Sequence, residues 1–448
     1  MAGIAGIAKE NSYDEVSAML DMIEHRGRNH REIVRAEGTT IGVCWNEPAT
    51  SPVRISGEKV SVSDTAGPGR FATVTAHDGE FIFSRDSAGE APLYTGSGSD
   101  GTKVFASEVK ALAPGIRNLT EVSPGNGEDT VSTRYPESGI KYHEVPEDPD
   151  SLTSLIRELL DETLSRLLRT EKTGAWLSGG LDSAAVTALA SRYIGRINTF
   201  TAGLEGAPDL DYASYAAKCL GTVHHEIIVG ENDLKTMLPD VIWHLESFDP
   251  LLVRSSLLNF AAARKAADYV SDILSGEGAD ELFAGYTYLT GLPLDTVNEE
   301  LLRLTGKLHN TALQRVDRCA AAFGLTPRLI FTHPSVTELA LAVPADLKIK
   351  DGEGKWILRK AMEEILPPDI AWRQKAKFWE GGGVNEKLSE IADASISDSD
   401  FINERELPNG WTLHSKEELL YYRIFRDFFG SDISLSWMGR TDTGTVAA

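Results

Sequence analysis

The stretch Ser178-Gly179-Gly180-Leu181-Asp182-Ser183 decides how this chain reads. It lies between an apolar run, 174–177, and a helix-like run, 184–193, and strand, glycine turn, helix is the order that builds an anion site. Two adjacent glycines let the backbone approach phosphate oxygens without a side-chain clash, and the N–H groups opening the next helix aim at the same place. Ser178 and Ser183 add hydroxyl donors. Asp182 is a carboxylate in a phosphate site, which makes sense mainly as a ligand for Mg²⁺ bridging to the phosphates. A Gly-Gly pair alone would read as a plain turn; the flanking serines and the aspartate turn the reading toward a nucleotide.

Working outward, residues 152–168 place Leu152, Leu155, Ile156, Leu159, Leu160, Leu164, Leu167 and Leu168 on one helical stripe, with Asp150 or Ser151 as the expected N-cap. Beyond the turn the period changes. Runs 175–177, 197–202, 226–229 and 272–274 read as short buried strands, separated by helical runs such as 211–220 and 257–269. Alternating β and α elements imply a doubly wound parallel sheet whose ligand lies at the carboxyl ends of its strands. Ser178 and Gly276 each follow a predicted strand, so they are expected to meet in one crevice. Residues 294–429 read as mostly helical, and His224 and His225 as a loop before a strand. Residues 1–145 are strand-rich, with alternating runs at 41–45, 71–76, 80–84 and 103–106. The segment 126–149, rich in Glu, Asp, Ser, Gly and Pro, reads as a tail and linker, dividing the chain into 1–148 and 149–448.

A chain of 448 residues with 42% apolar and 25% charged side chains has room for two or three cored domains. Its formal charge of −23 would repel a polyanion, so broad nucleic-acid binding is disfavoured and any phosphate site is local and metal-assisted. Cys44, Cys219 and Cys319 are too few and too scattered for a disulfide framework, and are expected reduced and buried. The apolar opening 1–8 lacks a basic flank, so it is no signal peptide. No apolar run approaches the roughly 18 residues of a membrane span. A cytoplasmic location is the expectation.

A second turn, Ser275-Gly276-Glu277-Gly278-Ala279-Asp280-Glu281, follows the strand at 272–274. Three carboxylates interleaved with glycines repel one another unless a cation or an amine shares the space, and a glutamate so placed is poised as a general base. A solvated acidic turn is the plain alternative, which the position beside a strand of the same sheet disfavours. With both motifs in hand the chain resembles the glutamine-dependent asparagine synthetase family and its β-lactam synthetase and lasso-peptide cyclase relatives. SGGLDS is shared by many ATP pyrophosphatases; SGEGADELFAGY (275–286) is far more specific. FTAGL (200–204), GTVHHE (221–226), AWRQKAKF (371–378) and EELLYYRIF (417–425) extend the likeness over about 150–430.

The resemblance implies an α/β protein: an N-terminal Ntn-hydrolase-like αββα sandwich, degenerate here, and a C-terminal doubly wound parallel sheet of the ATP-pyrophosphatase (adenine nucleotide alpha hydrolase-like) type. It implies ATP and Mg²⁺ as cofactors, with the metal held by Asp182 and Asp280. Phosphates would lie among Ser178, Gly179, Gly180 and Ser183, and adenosine against Leu177, Ala202 and Gly276. Arg254 and Lys375 match basic residues that hold pyrophosphate and stabilise the reacting centre, although a salt bridge and a solvated lysine are their plain alternatives. Glu277 stands where asparagine synthetases keep a glutamate and β-lactam synthetases a tyrosine, which favours an ammonia-type nucleophile. Glu281 and His333 are candidate substrate ligands, His333 equally a structural histidine.

Two departures are plain. The family's glutaminase half begins with a cysteine after the initiator methionine, and this chain has Ala2. His25-Arg26-Gly27, Arg85-Asp86, Gly89-Glu90 and Phe105-Ala106-Ser107-Glu108 still look like that half, but its glutamine-binding Asn-Gly-Glu segment is missing. Cys44 reads as a core residue rather than a substitute. In the substrate pocket Leu251-Leu252 replace threonines, and trading hydroxyls for leucines leaves polar substrate groups unpaired at about 1–3 kcal/mol each. The expectation is an AMP-forming ligase joining a small-molecule carboxylic acid to ammonia or another amine. The nitrogen would come from free ammonia, a separate glutaminase subunit or an amine substrate, and a homodimer is compatible. Lactam or lasso-type ring closure is the alternative within the class, and a silent nucleotide-binding subunit the alternative outside it. A tRNA-modifying ATP pyrophosphatase is disfavoured by charge.

Overall fold

The computed structural model describes residues 1–46, 50–67, 69–113, 115–127, 145–374 and 383–441. Most of the expected linker, residues 128–144, and Lys375 therefore lie outside the described residues.

The C-terminal part is built on a five-stranded sheet of β11 (Thr173–Trp176), β12 (Asn198–Gly203), β13 (Val223–Ile228), β14 (Asp272–Ser275) and β15 (Thr326–Leu329), in the order β13-β12-β11-β14-β15. Every pairing is parallel. Four of the strands match expected runs within a few residues. The fifth, β15, was not expected in a stretch that reads as helical. His224 and His225 lie inside β13, not in a loop before it, each bonded to β12 through Thr199 Oγ1 and Asn198 Oδ1 at 3.0 Å.

After α1 (Tyr13–Met22) of the N-terminal part, the helices that matter for the site are α2 (Pro149–Leu167), α3 (Leu181–Ile194), α4 (Pro208–Leu220), α5 (Glu231–Leu245), α6 (Pro250–Ala266), α7 (Ala279–Phe283), α8 (Leu294–Gly306) and α9 (Ala312–Ala321). α2 buries Leu152, Ile156, Leu160, Leu164 and Leu167 as its stripe requires, but it is capped by Asp148, whose carboxylate accepts from Ser151 N at 2.9 Å, rather than by Asp150 or Ser151. The earlier cap follows from Pro149, which occupies the first helical turn without needing an N–H partner. α2 and α3 enclose an apolar cluster with Leu177, Leu274 and Phe331, which fixes the strand ends beneath the two glycine turns.

Residues 1–127 form two antiparallel sheets. One is six-stranded: β1 (Ala2–Ile7), β2 (His30–Ala36), β3 (Thr39–Trp45), β8 (Tyr94–Ser97), β9 (Lys103–Ala106) and β10 (Arg117–Glu121), ordered β10-β8-β9-β1-β3-β2. The other is β4 (Val53–Ser56), β5 (Lys59–Gly67), β6 (Arg70–His77) and β7 (Glu80–Arg85) in sequence. Ile4, Val43 and Phe105 of the first pack against Val62 and Val74 of the second. α1 lies on the outer face of the first through Val16 and Leu20. The expected αββα sandwich is thus αββ among the described residues. The outward face of the second sheet shows why it tolerates this: Val60, Val62, Ala72 and Val74 point inward and alternate with half-exposed Ser61, Ser63, Thr73 and Thr75. Ser61 bonds Thr75 at 2.8 Å and Ser63 bonds Thr73 at 2.9 Å, so the face satisfies its own hydroxyls and needs no helix over it.

Cys44 and Cys319 are buried, but Cys219 is exposed on α4, against expectation. Cys44 lies 3.7 Å from the Ile23 carbonyl, and burial pushes its thiol up to about 11, so it is a core side chain and not a nucleophile. Among the described residues no helix is long and apolar enough to cross a membrane.

Candidate active site

The two glycine turns leave adjacent strands β11 and β14 and touch. A Cβ placed on Gly276 would lie 2.8 Å from Asp182 C and 2.9 Å from Ser183 N, so only glycine lets the turns close on each other. On the other flank, Gly179 has φ +72° and a Cβ there would meet the Tyr212 carbonyl carbon at 2.4 Å. Within the first turn Ser183 Oγ accepts from Ser178 N at 3.2 Å and lies 3.1 Å from Ser178 Oγ. The N-cap of α3 is Gly180, which has no side chain to cover the first N–H groups of the helix. Arg373 braces the turn from outside, donating to Ser178 O at 3.1 Å and Asp209 at 2.7 Å while stacking 3.5 Å over Tyr212.

A cavity of about 440 Å³ opens where the turns meet. Leu177, Ser178, Gly180, Asp182, Ser183 and Ala202 line one side, and Gly276, Glu277, Asp280 and Glu281 another. The sequence-predicted nucleotide and metal residues are therefore gathered in one place, with Gly179 buttressing them from behind. Lys355, which the sequence reading missed, stands at their centre. Its Nζ lies 2.8 and 2.6 Å from the two carboxylate oxygens of Asp182 and 2.5 Å from Asp280. The residue has φ +57°, a left-handed conformation unusual for a side chain of this size, held by the bond from its N–H to Phe283 O at 3.0 Å. A Cβ on Gly285 would fall 1.9 Å from Asp280 Oδ1 and 2.2 Å from Lys355 Cε, so glycine is required there too. Two carboxylates converging on one ammonium are a donor set suited to a hard divalent cation with its phosphates, so Asp182 and Asp280 fit Mg²⁺.

Glu277 projects into the cavity and is ion-paired with Arg315 of α9, a second residue the sequence reading passed over. Glu281 is buried, accepts from the Tyr286 hydroxyl at 2.5 Å, and is pushed up to about 7, first by desolvation and then by the Asp280 charge. It is thus a carboxyl that holds its proton at the acid side of neutrality.

Two predicted residues are not brought to this cavity. Arg254 on α6 is spent on a bidentate pair with Glu417, at 2.8 and 2.6 Å, in the helix Lys416–Phe429. His333 faces the N-terminal part, its ring 3.2 Å from where a Cβ on Gly69 would stand. Leu251 and Leu252, by contrast, do line the cavity, as does Asn259.

A parallel sheet whose strand ends carry two touching glycine turns and a pair of carboxylates suits an ATP-dependent ligase of the type that forms amides and releases AMP and pyrophosphate, using ATP with Mg²⁺. The asparagine synthase family profile matches residues 155–295 and 291–444. The chain is 32% identical over 392 residues to the glutamine-hydrolysing asparagine synthetase B of Escherichia coli, covering 82% of this chain and 71% of that one. It is likewise 32% identical over 384 residues to the asparagine synthetase of Asparagus officinalis, covering 80% and 65%. Among solved structures, NMN synthetase from Francisella tularensis aligns at 13% identity with a TM-score of 0.31, over 65% of this chain and 99% of that chain, a level that says nothing further about the fold. The chain belongs to the asparagine synthase family.

Proposed function

We propose that the protein adenylates a carboxylic acid substrate with Mg-ATP and passes the acyl group to ammonia or another amine that reaches the cavity from outside the chain. The observation that carries this reading is the contact of the two turns at Gly276, with Lys355 drawn between Asp182 and Asp280. The substrate carboxylate attacks the α-phosphorus of ATP and pyrophosphate departs; the amine then attacks the acyl carbon, and AMP leaves with the bridging oxygen. Mg²⁺, held by Asp182 and Asp280, would neutralise the departing pyrophosphate. Lys355 supplies a fixed cation beside the same phosphates, and Ser178, Ser183 and the N–H groups of α3 hold them. Leu177, Ala202 and Gly276 offer the adenosine surface. Glu277 accepts the proton that the amine must lose, since ammonium itself has no lone pair to attack with. Lys375, beyond the described residues, is carried as a second cation on the family resemblance alone.

The N-terminal part, 1–148, is read as a glutaminase-like domain of Ntn ancestry that no longer hydrolyses glutamine. Position 2 supports this. Alanine carries no nucleophile there, and its backbone is tied inside the fold: Ala2 N donates to Asp64 at 2.8 Å and Ala2 O accepts from Arg26 at 3.1 Å, all three residues buried. The leucines at 251 and 252 on the cavity wall favour an acid less polar than aspartate, and keep ring closure by a substrate's own amine as the second reading.

The test is incubation with ATP, Mg²⁺, ammonium and a panel of carboxylic acids, scoring AMP and pyrophosphate. Glutamine in place of ammonium should support nothing. ADP as sole nucleotide product would sink the mechanism, and a cyclic product formed without ammonium would select the second reading.

A further inference from the structure

The N-terminal part supplies no group to the proposed reaction, yet it is fastened to the acidic turn at two separate points. The first is α9. Its Asp317 accepts from Arg26 at 2.8 and 3.1 Å and from Arg70 at 2.8 Å, and its Arg318 lies 3.9 Å from Glu108 of the N-terminal part, all of them buried. Two residues before Asp317 on the same helix stands Arg315, the ion-pair partner of Glu277. The second point is Thr332, just past β15. Its hydroxyl donates to Glu90 of the N-terminal part at 2.5 Å, and its methyl lies 3.0 Å from where a Cβ on Gly278 would stand. Glu90 is itself fixed, its N–H donating to Asp86 at 2.8 Å, and Asp86 accepts further from Ala91 N and Phe71 N.

Glu277 needs such walls. It sits between Gly276 and Gly278, the latter at φ +96°, so its own backbone contributes little stiffness, and its side chain is 31% exposed. The phosphate turn differs: its walls Tyr212, Arg373 and Gly276 all belong to the C-terminal part. We propose that the N-terminal part is a positioning frame for Glu277, acting through α9 and through the Glu90–Thr332 contact on Gly278, with Thr332 a positioning residue for amine attack and not for adenylation. This rests on Glu277 accepting the amine proton. Geometry makes the split sharp, because a base misplaced by about 1 Å can lose about a hundredfold in rate while a distant phosphate site is untouched.

The experiment compares Thr332→Val and Thr332→Ser with the wild-type full-length chain. Acid-dependent exchange of labelled pyrophosphate into ATP reports adenylation, and amide formation reports the second step. In Thr332→Val, which loses the bond to Glu90, the exchange should stay within about twofold while amide formation falls about tenfold, and Thr332→Ser, which keeps that bond but loses the methyl against Gly278, should fall between Thr332→Val and wild type. Hydrogen exchange at residues 276–281 should quicken in Thr332→Val and stay unchanged at 178–183. Parallel loss of both steps, no loss in either, or unchanged exchange at 276–281 would overturn the frame. A wild-type chain that exchanges no pyrophosphate with any acid would instead overturn the adenylation reading, and the hydrogen exchange would still decide the frame.

Discussion

The molecule contains two clusters of opposed charge, and they are finished differently. At the junction of the two parts, Arg26, Arg70, Lys110 and Arg318 meet Asp64, Glu108, Asp317 and Glu246, four against four, each nearly inaccessible to water. Arg26 alone bonds Ala2 O, Glu108, Asp64 and both oxygens of Asp317. In the cavity, Asp182, Asp280, Glu277 and Glu281 face Lys355 and Arg315. The first cluster is balanced and closed. The second borders open space, and Arg303, Lys307, Arg359, Arg373 and Arg440 line the same cavity beside these carboxylates, so both signs of charge face a space that could take up a metal ion, a phosphate chain and an amine. The same residue types make structure where they are sealed from water and chemistry where they face open space.

The largest expected effect lies in the open cluster. Asp182→Asn removes one side of the metal position and should cut pyrophosphate exchange by about a thousandfold or more, with melting temperature little changed because the site borders the cavity. In the closed cluster the reverse pattern is expected. Asp317→Ala leaves Arg26 and Arg70 buried without their shared partner, and such a loss costs about 3–5 kcal/mol of stability, visible as a lowered urea midpoint. Equal stability in that variant would mean the cluster is not desolvated as the structure describes it. Next in size, Glu277→Gln should keep pyrophosphate exchange and lose about a hundredfold in amide formation at neutral pH, with the loss shrinking as the pH is raised and free amine supplants the base. Loss of exchange by the same factor would place Glu277 in the first step.

The sequence carried the open cluster better than the closed one. Strand ends and glycine turns are local, so Ser178–Ser183 and the turn from Ser275 could be assigned to one crevice before any coordinates. Lys355 could not: it lies 173 positions from Asp182, and what marks it is a backbone angle and not a motif. Arg254 looked like a cavity cation because nothing local reveals that Glu417 occupies it. β15 escaped because Thr-Pro-Arg-Leu has no apolar alternation; it is a strand by virtue of pairing with β14, a non-local fact. In His25-Arg26-Gly27 and Ser107-Glu108 a likeness to the family's glutaminase half was legible. That Arg26 and Glu108 bond each other and reach a helix of the other half was not.

The last expected effect is a change with pH and concerns Glu90, which sits beside the closed cluster without belonging to its balance. Desolvation, and then the neighbouring Asp86 charge, push its carboxyl up to about 8. Its folded-state pKa is raised above the unfolded value, so the stability tied to its proton is fully present below the ordinary carboxylate range and is lost as pH rises toward 8. Other buried groups slope the opposite way. Burial lowers Lys348 to about 7 and His244 to about 3, and such groups cost stability as pH falls. A wild-type profile therefore mixes signs, and the informative quantity is a difference. Glu90→Gln keeps an oxygen for the Thr332 hydroxyl but never ionises, in either state. Its stability relative to wild type should climb as pH rises from the ordinary carboxylate range to about 8, then level off. Urea denaturation across that range measures it. A flat difference would mean that Glu90 is solvated, and that the junction between the two parts is wetter around Thr332 than around Asp317.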